Sequence, residues 1–232
     1  MRRLILCASM VVWLGAPAQA ADPCGEKGDL EYAGIVDGAI QLRWTGQIAN
    51  KMDVKLLGSF AEHQDEAREI VLSLDSCGGY VPDMRDAVWV INLIKETHKV
   101  HTRVEPGRMC GSACVFVFLT GKRRYGALTS VWLFHEAWGE VAIAGEGSIE
   151  RRSSSYQTGR LLDRYFVPAG VSKKWLSRVR RLIKDGDYWQ TGRDLWESKS
   201  GIITEPIENV RRRDKQRMYF MPPVVCGGFC RG

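Results

Sequence analysis

The chain has 232 residues, 45% apolar and 26% charged, with a formal net charge of +6. That size suits one domain, or one domain with an appendage, and that composition supports a real hydrophobic core. A positive balance this mild, with no block of five like charges, reads as solubility and argues against a nucleic-acid partner. There is neither an internal repeat nor a low-complexity tract.

The N-terminus has the layout of a secretory signal peptide. Arg2 and Arg3 form a positive start, Leu4 to Leu14 is an apolar run too short to span a bilayer, and Ala18-Gln19-Ala20 is a small-residue cleavage site. The expectation is cleavage after Ala20 and delivery to the periplasm or the exterior, with a retained anchor as the bland alternative. Leu4-Ile5-Leu6-Cys7 has the look of a lipobox but lacks a preceding apolar stretch, and no later run would make a stable membrane span. Cleavage would leave six cysteines, Cys24, Cys77, Cys110, Cys114, Cys226 and Cys230. In an exported chain an even count favours disulfides, and their pairing stays open.

After a leader over 21–38, the pattern becomes α/β and continues through 39–207, before a basic, Cys- and Gly-rich tail over 208–232. Ala39 to Thr45 reads as a strand and 50–68 as a helix with Leu56, Leu57, Phe60 and Ala61 on one face. Glu69 to Leu74 is a short strand, followed by the turn Asp75-Ser76-Cys77-Gly78-Gly79. Pro82 to Lys95 is a helix with proline in its first turn, and Lys99 to Val104 a strand. Pro106 to Gly111 reads as a turn, Ser112 to Leu119 as an apolar helix, and Val131 to Phe134 as a buried strand. Gly139 to Gly147 reads as small and flexible, and Ser155 to Phe166 and Ser172 to Ile183 as two helices. Strands alternating with amphipathic helices imply a largely parallel sheet.

Ser112 stands where a Gly111 turn hands over to a helix. The first N–H groups of a helix lack internal partners and face a positive dipole. An oxyanion formed beside Ser112 could therefore be bound by the N–H of Ala113, with a second donor from Gly78 or Gly79. The competing reading is a serine that merely caps the helix. His135 follows a buried strand, at the sheet edge where open α/β folds bind ligands; a satisfied structural histidine is the alternative. Asp187 is the preferred orienting acid, Asp185 the second choice, and a solvated turn aspartate the bland reading. The order Ser, His, Asp and the absence of a Gly-x-Ser-x-Gly elbow disfavour the chymotrypsin, subtilisin and α/β-hydrolase arrangements. His98-x2-His101 and Cys110-x3-Cys114 superficially suggest zinc spacing, but residues three apart on a strand face opposite sides, so no metal or other cofactor is expected.

Together these residues resemble the proteolytic subunit of Clp protease and its exported relatives. Thr45-Gly46-Gln47-Ile48 is similar to that family's Thr-Gly-Gln-Val, and Leu74-Asp75-Ser76-Cys77-Gly78-Gly79 to its Asn-Ser-Pro-Gly-Gly loop, with Cys77 in place of proline. Gly111-Ser112-Ala113-Cys114 resembles the nucleophile turn, Phe134-His135-Glu136 the histidine segment, and Asp187-Tyr188-Trp189-Gln190-Thr191 with Gly201-Ile202-Ile203 the aspartate segment. The resemblance implies a crotonase-like ββα superhelix with a helical extension. It implies Ser112 as nucleophile, His135 as base and then acid, Asp187 as the group fixing the histidine tautomer, and Gly79 and Ala113 as oxyanion donors. It also implies a peptide or unfolded-polypeptide substrate and homo-oligomer contacts through 155–183. No ATPase partner is expected, since no P-loop is present and the periplasm lacks ATP. Two other readings are an inactive scaffold or binding protein on the same fold, and acyl-thioester chemistry of the crotonase kind.

Overall fold

The computed structural model describes residues 27–49, 51–142 and 149–208. The expected signal segment, Cys24, Cys226, Cys230 and the tail from residue 209 lie outside the described residues. In chain order the elements are β1 (Asp29–Val36), β2 (Ala39–Thr45), α1 (Met52–His63), β3 (Glu69–Asp75), α2 (Val81–Ile94), β4 (Lys99–Val104), β5 (Met109–Gly111) and α3 (Ala113–Phe118). They continue with β6 (Arg124–Ala127), β7 (Val131–Phe134), β8 (Trp138–Ala142), β9 (Ile149–Ser153), α4 (Ser155–Tyr165), α5 (Lys173–Leu182), β10 (Tyr188–Thr191), α6 (Gly192–Glu197) and β11 (Glu205–Ile207).

The main sheet has six strands in the order β1-β2-β3-β4-β6-β11. All its neighbours run parallel except the edge strand β1, which pairs antiparallel with β2. A smaller sheet has the order β10-β7-β5, with β5 parallel and β10 antiparallel to β7. A single bridge from Ser76 to Cys110 joins the end of β3 to β5, and so couples the two sheets. The expected parallel α/β architecture and the helical extension, α4 and α5, are both present.

Three differences from the sequence reading have physical causes. The stretch read as leader contains β1, whose burial alternates weakly along the strand because it closes an open sheet edge. The turn read over Pro106 to Gly111 ends in the short strand β5. That strand pairs in parallel with β7 and is tied to the Ser76 backbone by two hydrogen bonds, Ser76 N–H to Met109 O at 2.8 Å and Gly111 N–H to Ser76 O at 2.9 Å. The stretch read as flexible from Gly139 begins within β8, which pairs with β9; residues 143–148 lie outside the described residues.

The core is one continuous cluster that includes Trp44, Leu72, Ile91, Phe118, Trp132 and Phe166. Along α2, Met84, Ala87, Val88, Ile91 and Ile94 are buried, the spacing that identified the helix. In α3, Ala113, Cys114, Val115, Val117 and Phe118 are all buried. A helix apolar on every side belongs in the interior, and that places its N-terminal dipole in a poorly screened environment. Arg124 closes the extension onto the sheet. Its guanidinium donates to the carbonyls of Ile202 (2.7 Å), Gly201 (2.7 Å), Ala169 (3.0 Å) and Gly121 (3.4 Å).

Candidate active site

The site is assembled where β3, β5 and β7 reach their C-terminal ends. The N–H of Ser112 donates to Leu133 O at 2.8 Å, which fixes the serine beside β7 two residues before His135. Ser112 has φ 48° and ψ −119°, a conformation rarely adopted by a residue with a side chain. Such backbone strain costs roughly 1–3 kcal/mol and tends to collect where chemistry needs it. Although Ser112 occupies the N-cap position of α3, its hydroxyl makes no capping bond. The sharp strand-to-helix turn exists here without a Gly-x-Ser-x-Gly signature. Gly111 supplies its one essential glycine, because a Cβ there would lie 2.7 Å from Cys77 O and 3.0 Å from Leu133 Cβ.

The Gly-Gly loop is pressed against this turn. Asp75 is buried and accepts from the N–H of Met109 at 3.1 Å and from Arg108 Nη1 at 3.0 Å, which pins the start of β5. Ser76 Oγ accepts the N–H of Gly78 at 3.1 Å, and Gly78 O accepts the N–H of Ile48 at 2.7 Å. The N–H of Gly78 is thereby spent, whereas those of Gly79 and Ala113 donate to no partner among the described residues. Of the two loop glycines, Gly79 retains the donor that an oxyanion could use.

Cys110 and Cys114 bracket Ser112 and bring their sulfurs to bonding distance across a Cα separation of 5.3 Å. Cys77, half-buried in the glycine loop, has no disulfide partner among the described residues. Of the cysteines proposed from sequence for disulfides, only Cys110 and Cys114 pair among the described residues.

His135 is half-buried at the end of β7. Its Nδ1 lies 2.6 Å from Glu136 O and 3.1 Å from the indole Nε1 of Trp138. The following loop is docked on α4: Glu136, buried, takes a short hydrogen bond from Ser155 Oγ, and the N–H of Ala137 donates to Thr158 Oγ1 at 2.8 Å. Asp187 is exposed, immediately before β10. The antiparallel register ends with Tyr188 paired to Phe134, so Asp187 and His135 each stand one residue beyond the last pair of the ladder. Among the described residues no hydrogen bond joins Ser112 to His135, or His135 to Asp187.

The other histidines are engaged elsewhere. His98 contacts Thr97 Oγ1 at 2.8 Å and Gln64 O at 2.8 Å. His101 accepts the N–H of Arg123 at Nδ1 (3.2 Å) and lies 3.4 Å from a Glu69 oxygen. Sequence reasoning missed Ser76, which organises the loop, and Trp138, which touches the candidate base. Ser76 was legible as part of the quoted loop; nothing in the sequence marks the Trp138 contact, which depends on how β8 leaves the histidine segment.

No family profile and no curated protein matches the sequence. Among solved structures the chain resembles a point mutant of ClpP1 from Listeria monocytogenes, with TM-score 0.53 and 17% identity over 74% of this chain and 92% of that one. It resembles a mutant of the membrane-bound stomatin-specific protease 1510-N with TM-score 0.53 and 18% identity, over 78% of this chain and 82% of that one. A second mutant of that protease, in complex with a substrate peptide, gives TM-score 0.52 and 18% identity over 76% and 77%. The fold is therefore ClpP-like: mixed α/β with a mostly parallel sheet and several helices.

Proposed function

We propose that this chain is an exported serine peptidase acting on peptides or unfolded polypeptides without an ATPase partner. One observation carries the reading. Ser112 sits strained and uncapped at the buried N-terminus of α3, against a glycine loop, with the N–H groups of Ala113 and Gly79 unspent. The ClpP-like fold, shared with a stomatin-specific protease, supports the same class of chemistry.

In the proposed mechanism Ser112 Oγ attacks the scissile carbonyl carbon while Nε2 of His135 takes its proton. The resulting oxyanion is held by the N–H groups of Ala113 and Gly79, where low dielectric strengthens each bond. His135 then protonates the leaving amine, an acyl-Ser112 ester remains, and water activated by the same nitrogen releases the acid. Asp187 is the proposed orienting acid, sharing the Nδ1 proton with Glu136 O, which lies 2.6 Å from that nitrogen. Helices α4 and α5 are the proposed surface for homo-oligomer contacts.

Labelling with a fluorophosphonate tests the assignment. Wild type should react, and Ser112→Ala and His135→Ala should not; equal labelling of the serine variant refutes it. A second reading, an inactive scaffold on the same fold, draws on the missing Ser112–His135 hydrogen bond among the described residues. It gains if folded wild-type protein stays unlabelled.

A further inference from the structure

His135 Nδ1 has two partners of opposite kind. Glu136 O, at 2.6 Å, is an acceptor and calls for a proton on Nδ1. The indole Nε1–H of Trp138, at 3.1 Å, is a donor only and calls for a bare Nδ1. A neutral imidazole carries one proton, so the two bonds exclude each other. With the indole bonded, the proton sits on Nε2 and the ring cannot accept there. With the indole withdrawn, Nδ1–H donates to Glu136 O and Nε2 is bare. In the first state Nδ1 is also closed to Asp187, which stands one residue beyond the β10–β7 ladder, as the histidine does.

Resting on the proposal that His135 is the base, we infer that Trp138 is a positioning residue that sets which nitrogen of His135 bears the proton. Trp138 is placed to move. It is 49% exposed, it opens the β8–β9 hairpin, and it lies outside the core cluster. A substrate segment that packs against the indole and draws it from Nδ1 would shift the balance between the two tautomers towards the Nδ1–H form. One proton leaves Nε2 and one reaches Nδ1, so the ring stays neutral. Peptide binding and base activation would thus be coupled through one aromatic side chain.

The test is Trp138→Phe, which keeps an aromatic ring and removes the donor. Nitrogen-15 shifts of the imidazoles report the tautomer directly, and with four histidines in the chain the assignment is tractable. The variant should raise the Nδ1–H share of His135 above that of wild type. It should also raise the fluorophosphonate labelling rate by roughly fivefold, the worth of one neutral hydrogen bond. Trp189→Phe, which removes another exposed indole, should change neither. An unchanged His135 tautomer in Trp138→Phe, or the same shift in Trp189→Phe, overturns the inference. A tautomer shift with no labelling in any form supports the role of Trp138 and counts instead against the hydrolase reading.

Discussion

Gly78 lies directly against Ser112. A Cβ on Gly78 would stand 2.6 Å from Ser112 Cβ and 3.3 Å from the backbone nitrogen of Ala113, and the glycine has φ +125°. Both space and conformation therefore forbid a side chain. Gly78→Ala should push the glycine loop off the serine turn and close the space beside the Ala113 donor. Loss of one oxyanion donor typically costs 10²–10³ in rate, so labelling should fall by about that factor. Denaturant midpoints measured alongside should show a stability loss of about 1–3 kcal/mol, the usual range for strain at such a position.

Asp187 and Asp185 are separable. Asp187 stands one residue beyond the Tyr188–Phe134 pair, as His135 does, whereas the N–H of Asp185 donates to Leu182 O at 3.3 Å at the end of α5. Asp187→Asn should lower the labelling rate by about 10²-fold or more, because an amide stabilises neither the needed tautomer nor an imidazolium. Asp185→Asn should leave it within a factor of about two. The reverse pattern would transfer the orienting role to Asp185.

Arg124 is a structural tie whose loss should be felt throughout. Arg124→Ala would strip donors from the buried carbonyls of Ile202 and Gly201 and leave a void between β6 and the extension. Hydrogen bonds to charged groups are worth roughly 1.5–3 kcal/mol each, so the expected destabilisation is at least about 3 kcal/mol by chemical denaturation. Arg124→Lys should recover little of it, since an ammonium cannot reproduce the planar fork that reaches several carbonyls at once.

His101 makes stability depend on pH. Burial holds its pKa below the ordinary 6.5, with Glu69 opposing that shift in part. The N–H of Arg123 donates to Nδ1, and that bond requires the nitrogen bare. The unfolded chain therefore binds a proton before the folded one does. Stability from this group is complete above pH 6.5 and falls as pH drops through 6.5 towards the lower folded-state value. Urea midpoints of wild type should decline over that window, and His101→Gln should flatten the decline.

Much of this architecture could be read before any coordinates. Strands 39–45, 99–104 and 131–134 have the expected bounds because the first two place an apolar or β-branched residue at every second position and the third is apolar throughout. β5 and β10 escaped notice for a different reason. They are three and four residues long, and they exist through pairing with β7, a tertiary fact with no local pattern behind it. At the site, the glycine loop and the Gly111-Ser112 turn were legible because backbone demands leave glycines in sequence. The choice between Gly78 and Gly79 as donor was not, since it depends on Ser76 Oγ consuming one of them. The contact of Trp138 with His135 was equally hidden, set by how the chain runs from the histidine into β8.

As the proposed nucleophile, Ser112 must carry the acyl group during turnover. Wild-type protein would be mixed with an activated peptide ester, quenched in acid, reduced, digested with trypsin and mapped by mass spectrometry. Acylation of the single peptide Met109–Lys122, at Ser112, is the expected result, with none in His135→Ala. Acyl transfer to another residue such as Cys77, or steady hydrolysis with Ser112 never modified, would contradict it.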